Sequence, residues 1–595
     1  MSVNSSVVTE AITVRLASLC RTDAVIGLAL FALVIGIWIP RFSGPIDLRW
    51  DGSVYYILGT SLAEGKGYRL LNEPGEIEAV QYPPLLPLIV AAHQWVLGTN
   101  DPLIVGHSLR LSFFLIFTAY ILAIYLMLRN SLPLNYAFVG TMMCLFSLQT
   151  YFMSDLLFPE IPFALATVLF FLCNQNKSRR IYPILAALFA MAAYALRTIG
   201  IALLAAWVAE SLFRREFKNA AVRLTVSIIP ILCWQVYISS VESGREYRSP
   251  VYEYQRADYS FYNVSYGKNI FYLKDSFSPE MGDASFGDIS WRFMRNLAEL
   301  QTSLGGAVSI KNVRQAQWEQ FSQQFPFVPV DPWPVYIPLM ILSYLIVGGI
   351  GLQLANREWF IPLYILISLA AMCLTPWPGQ FHRYLVPLAP FLSLSLFKML
   401  LAVKNWSYRV LPAKWNGVGL AFVCLIVSFI FVQQSFTSFL VYTRWHQKVT
   451  YTNLNGSKDV YRLFFYHDSY RTLDGALDWL KERAKPDDVV AVSMPHWVHL
   501  RTGLKAVMPP FESDPVKAQQ LLDSVPVSYL VLDEELAVDT RKYTSPVVQN
   551  FSNRWKRIYS ASVISELGVE LKDRFQIYER VEPLASSAPA FESLS

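Results

Sequence analysis

The sequence predicts a polytopic α-helical membrane protein of about eleven transmembrane helices, ending in a small soluble α/β domain. Three observations predict it. The 595 residues are 54% hydrophobic and only 16% charged, a balance that suits a chain solvated largely by lipid. Apolar stretches of about 17–25 residues recur through the first three quarters of the chain, long enough to cross roughly 30 Å of hydrocarbon. Beyond about residue 450 the composition shifts to that of a soluble domain. Net charge is only +5, so nothing points to a nucleic-acid partner.

Residues 1–23 precede the first span, 24–40. No small-residue cleavage site follows Ile39-Pro40, so this segment reads as a retained helix and not as a cleavable signal. Further spans are expected at 108–128, 136–153, 158–173, 181–196, 198–213, 220–240, 335–354, 358–374, 384–403 and 415–440. Their sidedness follows from Lys and Arg, which stay cytoplasmic in short loops. Arg15, Arg21, Arg129, Lys177, Arg179, Arg180, Arg214, Arg215, Lys218, Arg223, Arg357, Lys404, Arg409 and Lys414 then share one side. The transmembrane domain is thus 24–445, with external loops at 41–107 and 241–334 and a cytoplasmic N-terminus.

Two segments are placed by this parity. Residues 82–98 are apolar but open with three prolines in six residues, and they are laid along the outer interface as a juxtamembrane helix. Residues 181–213 are short for two full crossings, so a shallow hairpin with Arg197-Thr198 at its tip is expected. The long loop carries Tyr247, Tyr252, Tyr254, Tyr259, Tyr262, Tyr266, Tyr272, Trp291, Trp318 and Trp333, and its 287–302 part has helical apolar spacing.

An odd span count leaves the C-terminal domain, 446–583, outside the cytoplasm. Helices are expected at 469–484 and 515–525, and strands at 489–492, 527–532 and 575–579. The Ser- and Ala-rich tail 584–595 reads as disordered. The six cysteines (20, 144, 173, 233, 373 and 424) fall in or beside apolar segments, as buried free thiols do, and predict neither disulfides nor a cysteine metal site. No internal repeat is evident.

With this topology Asp51, Asp155, Glu160, Arg197, His382 and Arg383 all fall at the outer face. An ionised side chain at membrane depth costs ~2.5–3.5 kcal/mol or more, so each needs a partner or a water-filled cavity. Charges from separate loops at one level predict a shared cavity. Each also has a plainer reading. Asp51 suits a helix cap before Ser53, Asp155 and Glu160 suit a solvated loop, and Arg197 and Arg383 can snorkel to headgroups. The loop aromatics suit an interfacial belt. His496 and His499 have metal-compatible spacing but no third ligand in view. Asn-x-Ser triplets at 263, 405, 455 and 550 are common by chance.

Short motifs run through the chain: Asp51 with Tyr55-Tyr56, Leu62-Ala63-Glu64-Gly65-Lys66-Gly67-Tyr68, Tyr82-Pro83-Pro84-Leu85, and Tyr151-Phe152-Met153-Ser154-Asp155 with Glu160-Ile161-Pro162-Phe163. Leu196-Arg197, Arg383-Tyr384-Leu385-Val386-Pro387, His499-Leu500-Arg501-Thr502-Gly503 and Tyr529-Leu530-Val531-Leu532-Asp533 follow. With these the chain resembles the GT-C class of polytopic glycosyltransferases that use polyprenyl-phosphate sugars. It is most similar to the branch with protein O-mannosyltransferases and the lipid A aminoarabinose transferase.

The resemblance implies a GT-C-like fold and transfer, with inversion, of a sugar from a polyprenyl-phosphate donor to an acceptor hydroxyl on a glycan, lipid or protein. The membrane would be a bacterial inner or cell membrane. Asp51 matches the catalytic acid of the first external loop. Asp155 corresponds to a second acid, with Glu160 as its competitor. Arg197 and Arg383 stand in for a phosphate-binding lysine that Gln81-Tyr82 replaces here, and His382 donates to the phosphate or orients Arg383. Tyr55, Tyr56 and Tyr82 are the aromatic binding candidates, and the long loop's aromatics offer further faces on which a sugar can stack. No cofactor is required; some relatives hold a divalent cation, for which Asp51 and Asp155 are the candidate ligands. The competing reading is a transporter or flippase for lipid-linked sugars, and a third is a scaffold that binds through its soluble domain.

Overall fold

A computed structural model of the chain describes residues 5–176, 179–309, 333–443, 446–452, 456, 458–533, 540–564 and 570–581, with side chains from residue 22 onward. The calls on Lys177, Trp318, the triplet at 455 and the tail 584–595, and on the side chains of Arg15, Cys20 and Arg21, lie outside the described residues. The protein is an integral membrane helical bundle carrying a sheet domain at its C-terminal end. Among the described residues, six helices are long and apolar enough to cross a membrane, and six shorter apolar helices of 10–17 residues accompany them.

The first span lies in the helix Ser5–Trp38. The next helix, Asp51–Ala63, is almost wholly buried. The juxtamembrane helix, Leu85–Leu97, packs against it at Gly59, where a methyl group would come within 2.6 Å of Val90. The second span is Pro102–Arg129, opened by Asp101, whose carboxylate accepts from the amide of Leu103 at 2.8 Å.

The third expected span, 136–153, is two helices, Leu134–Leu145 and Leu148–Met153. Ser147 between them has extended backbone (φ −62°, ψ 125°), and this break turns Tyr151 and Ser154 toward Arg41, which donates to Ser154 Oγ at 2.7 Å. Glu160–Gln175 follows, then the hairpin arms Ile181–Leu196 and Ile201–Phe213. Their hydrogen bonds fix their direction. Arg197 meets Glu160 at the start of Glu160–Gln175, and Trp207 Nε1 donates to Asn174 Oδ1 at 3.0 Å near its end. The hairpin therefore runs the depth of that 16-residue helix, about 24 Å, with Arg197 at its tip.

Phe217–Ser243, Trp333–Ala355 and Val418–Thr443 fall on later expected spans and are long enough to cross, whereas Phe360–Cys373, on the expected 358–374 span, is one of the shorter apolar helices. The tenth begins irregularly, through the single turn Phe381–Tyr384, before Ala389–Val410 runs on. Close helix crossings use missing side chains: a Cβ on Gly349 would lie 1.9 Å from the Ser395 carbonyl oxygen. Cys144, Cys173 and Cys373 are buried free thiols, but Cys233 and Cys424 are exposed. Both of these sit on spanning helices, where an apolar side chain can face lipid as readily as protein.

In the long loop the helix Phe286–Val308 is longer than expected. It opens with a capping box in which Ser285 and Asp288 satisfy each other's backbone amides. Trp291, Met294 and Leu297 are exposed along one face, and Arg292 is buried on the other, donating to the carbonyls of Ile270, Leu273, Lys274 and Leu374.

The C-terminal domain starts with an antiparallel hairpin, β1 (His446–Thr452) and β2 (Lys458–Phe464). A five-stranded sheet follows, from β3 (Val489–Ala491), β4 (Lys505–Val507), β5 (Val527–Leu532), β6 (Trp555–Ile564) and β7 (Glu570–Arg580). Its order is β4-β3-β5-β7-β6, parallel on the β4–β5 side and antiparallel through β7. The expected helices appear as Asp468–Lys481 and Pro515–Asp523, and two unforeseen ones are Pro495–Thr502 and Arg541–Asn550.

This domain is sewn to the loops. Asn72 and Ala506 exchange hydrogen bonds of 3.0 and 2.8 Å. Lys505 Nζ donates to the Leu71 carbonyl at 2.7 Å, and Tyr252 and Tyr254 of the long loop join the core of the five-stranded sheet.

Candidate functional site

The site begins at Trp50-Asp51. Trp50 has φ 56° and ψ −132°, a region non-glycine residues rarely occupy, costing about 1–3 kcal/mol. The surroundings hold it there. Arg49, wholly buried, donates to Asp47 at 2.6 Å and to the carbonyls of Phe464 and Phe465 at 2.7 and 3.0 Å. The Trp50 ring stands edge-on to Phe152 and Tyr470 at 5.8 and 5.5 Å. The soluble domain thus grips the loop immediately before Asp51, whose side chain is aimed by its place at the first position of Asp51–Ala63.

From Asp51 an unbroken chain of charges runs through three other segments. Arg383 Nη1 lies 2.7 Å from Asp51 Oδ2, and Arg383 Nε donates to Glu160 Oε1. Arg197 Nη1 reaches the same Glu160 oxygen at 2.7 Å. Glu160 has no exposed surface, and its other oxygen, Oε2, has no hydrogen-bond partner. Two carboxylates therefore carry two guanidiniums, and the quartet is neutral. Buried charge of this kind is tolerated only when paired, and removing one partner costs about 3–5 kcal/mol. Arg383 lies over the Phe158 ring at 4.2 Å and Arg197 over Tyr384 at 5.4 Å, so both cations are also faced by aromatic quadrupoles.

An aromatic wall flanks Asp51. Tyr55 meets Tyr82 at 4.8 Å, Tyr82 meets Tyr262 at 6.4 Å, and Tyr262 donates to Asp51 Oδ1 at 3.3 Å. Burial, and then the Asp51 charge, hold the phenols of all three well above their usual range, so they act as hydrogen-bond donors. The ring of His496, from the soluble domain, stands edge-on to Tyr262 at 4.6 Å.

Asp51, Glu160, Arg197, Arg383, Tyr55 and Tyr82 therefore share one place, and His382 is half-buried on the same turn as Arg383. Two expectations are corrected. Asp155 does not join Asp51: it is buried against Arg110, which pairs with its carboxylate and donates to the Pro45 carbonyl at 2.6 Å. The reason is local, because the Asp155 carbonyl accepts from Asp47 N at 3.1 Å and ties the loop down beside Pro102–Arg129. Tyr56 also leaves the wall. One helical residue on from Tyr55 it is turned by about 100°, and its hydroxyl donates to the Asn100 carbonyl at 2.8 Å.

Sequence reasoning places Tyr262 only among the long-loop aromatics, as belt or sugar-stacking residues without singling it out, and reads His496 only as half of a metal pair. The structure turns His499 instead to the Leu504 carbonyl, at 2.9 Å from Nδ1. Among the described residues no group of three or more His, Cys, Asp or Glu is placed to hold a metal. Asp51 and Asp155 each face a guanidinium, so the donor set does not suit a divalent cation.

No family model matches the chain, and no curated protein sequence matches it. Among solved structures, the Archaeoglobus fulgidus oligosaccharyltransferase in complex with zinc and sulfate matches with TM-score 0.51 at 13% identity, over 92% of this chain and 73% of that one. The Archaeoglobus fulgidus oligosaccharyltransferase AglB with an inhibitory peptide and a dolichol-phosphate gives 0.49 at 14%, over 94% and 75%. ArnT from Cupriavidus metallidurans bound to undecaprenyl phosphate gives 0.38 at 9%, over 94% and 98%. The first match shows the fold alone: a GT-C-like helical membrane bundle, here with a C-terminal sheet region.

Proposed function

We propose that this chain is a membrane glycosyltransferase that moves a sugar from a polyprenyl-phosphate donor to an acceptor hydroxyl at the extracytoplasmic face. The observation that carries the reading is the pair of guanidiniums fastened to Glu160 beside Asp51. The fold shared with the Archaeoglobus fulgidus oligosaccharyltransferase adds support.

The chemistry follows from the resting pairs. A donor phosphodiester brings one negative charge to a neutral quartet, and its oxygens compete with Asp51 for Arg383. Guanidinium remains charged next to lipid and can bind two phosphate oxygens at once. Donor binding thereby frees Asp51 as a base. The acceptor hydroxyl gives its proton to Asp51 while its oxygen bonds to C1 of the sugar from the face opposite the phosphate. The C1–O bond to phosphate breaks, its electron pair stays on the phosphate oxygen, and the anomeric centre inverts. Arg383 and Arg197 hold the second negative charge that the leaving polyprenyl phosphate gains. Glu160 keeps the two arginines at a fixed separation, so little reorganisation accompanies the step.

The test is transfer of radiolabelled sugar from polyprenyl-phosphate donors by purified protein in liposomes. Wild type should cleave the sugar–phosphate bond, and Asp51→Asn should slow transfer by about 10²–10⁴-fold while inserting normally. Sugar lipid that crosses the bilayer uncleaved would replace this reading with a flippase.

A further inference from the structure

We infer that His496 reads a substrate hydroxyl in this site: its Nε2 is a binding group contributed by the soluble domain, set against the Tyr262 wall beside Asp51. The inference rests on the proposed transfer reaction and adds the chemistry of a contact that the reaction does not need.

The argument starts from an imbalance. His496 is only 3% exposed, yet its Nε2 has no hydrogen-bond partner in the protein. Buried polar atoms are nearly always paired, and an orphan costs about 1–3 kcal/mol. The side chain is not there by slack packing. Its helix, Pro495–Thr502, is nailed down along its length. Trp497 Nε1 donates to Asp474 at 2.8 Å, Arg501 makes two 3.0 Å bonds to Asp478, and Gly503 closes the helix in the left-handed conformation. The same helix packs on Asp51–Ala63. The His496 ring thus has one fixed position, 4.6 Å from Tyr262, whose hydroxyl touches Asp51.

The chemistry of the orphan selects its ligand. Burial, and then the neighbouring His499, push the His496 imidazole down to about 3, so the ring is neutral at neutral pH. A neutral imidazole presents at Nε2 either an N–H or a lone pair, according to tautomer. A hydroxyl donates and accepts, and so completes either one; a carboxylate can only accept and an ammonium only donate. In the proposed transfer, the donor sugar and the acceptor both carry hydroxyls.

The experiment compares His496→Phe, which keeps the ring on Tyr262 and deletes the polar atom, with His496→Gln, which keeps a hydrogen-bonding group. Binding of undecaprenyl-phosphate mannose and of bare undecaprenyl phosphate is measured by thermal shift, and KM is measured with octyl mannoside as acceptor. If the hydroxyl belongs to the donor sugar, His496→Phe weakens the mannose lipid about tenfold, leaves the bare lipid unchanged, and His496→Gln recovers part of the loss. If it belongs to the acceptor, both lipids bind as in wild type and the acceptor KM rises about tenfold. Both outcomes require a melting temperature no lower than wild type, because the variant removes an orphaned polar atom. Unchanged binding and KM, or equal weakening of both lipids with a lower melting temperature, would overturn the inference. Wild-type protein that binds neither lipid would instead defeat the transfer reading, and the inference with it.

Discussion

Asp155→Asn separates the acid that the structure uses for folding from the acid proposed for chemistry. The Asp155 carboxylate is buried against Arg110, which also donates to the carbonyls of Asp155 at 3.3 Å and Pro45 at 2.6 Å and lies over the Trp38 ring at 6.0 Å. Neutralising Asp155 leaves a guanidinium at 2% exposure with carbonyl dipoles but no counter-charge. Breaking such a pair costs about 3–5 kcal/mol, a fifth or more of a stability of ~5–15 kcal/mol. The asparagine variant should therefore melt well below wild type in detergent, while transfer per folded molecule stays the same. Removing both charges with Arg110→Met and Asp155→Leu should restore part of the lost stability, since a buried pair exchanged for apolar groups is often neutral. The reasoning fails if Asp155→Asn melts like wild type and yet loses transfer by ~10²-fold or more, the signature of a missing acid–base group.

Glu160→Gln should lower both stability, by about 3–5 kcal/mol, and turnover, because Arg197 and Arg383 lose their common anchor; calorimetry and initial rates check it. Arg383→Lys places a single ammonium where one guanidinium now bridges Asp51 and Glu160, so kcat/KM should fall about 10–100-fold, the worth of one charged hydrogen bond. Acid should weaken the soluble domain. Burial depresses His496 to about 3 and His499 to about 4 from 6.5, so the unfolded state binds more protons below 6.5. Stability is then complete above pH 6.5 and drains as pH falls toward 4, by up to ~1.4 kcal/mol per pH unit for each histidine. Melting temperature against pH checks this, and replacing both histidines with Phe should flatten the curve.

The juxtaposition of Asp51, Glu160, Arg197 and Arg383 was legible because each is a charge stranded at the edge of an apolar run, and the Lys and Arg pattern assigns all four to one side. Asp155 obeyed the same rule and misled. Its partner Arg110 lies inside the Pro102–Arg129 helix, where nothing in the spacing announces a pairing across 45 residues. Tyr55 and Tyr56 were grouped although neighbouring helical residues cannot face one way. The alternation of Val449 and Tyr451 with Tyr461 and Leu463, all buried on one side of the β1–β2 hairpin, was readable and missed. Tyr262 and His496 were not readable, since they reach the site only through tertiary folding of a loop and a domain more than 200 residues apart in sequence.

The most direct measurement is the affinity of bare undecaprenyl phosphate for wild type and for the double variant Arg197→Ala, Arg383→Ala. Two charge-assisted contacts of ~1.5–3 kcal/mol each predict at least ~100-fold weaker binding in the double variant, with Arg110→Met left at wild-type affinity. Equal affinity in wild type and double variant would contradict a phosphate seat between these arginines.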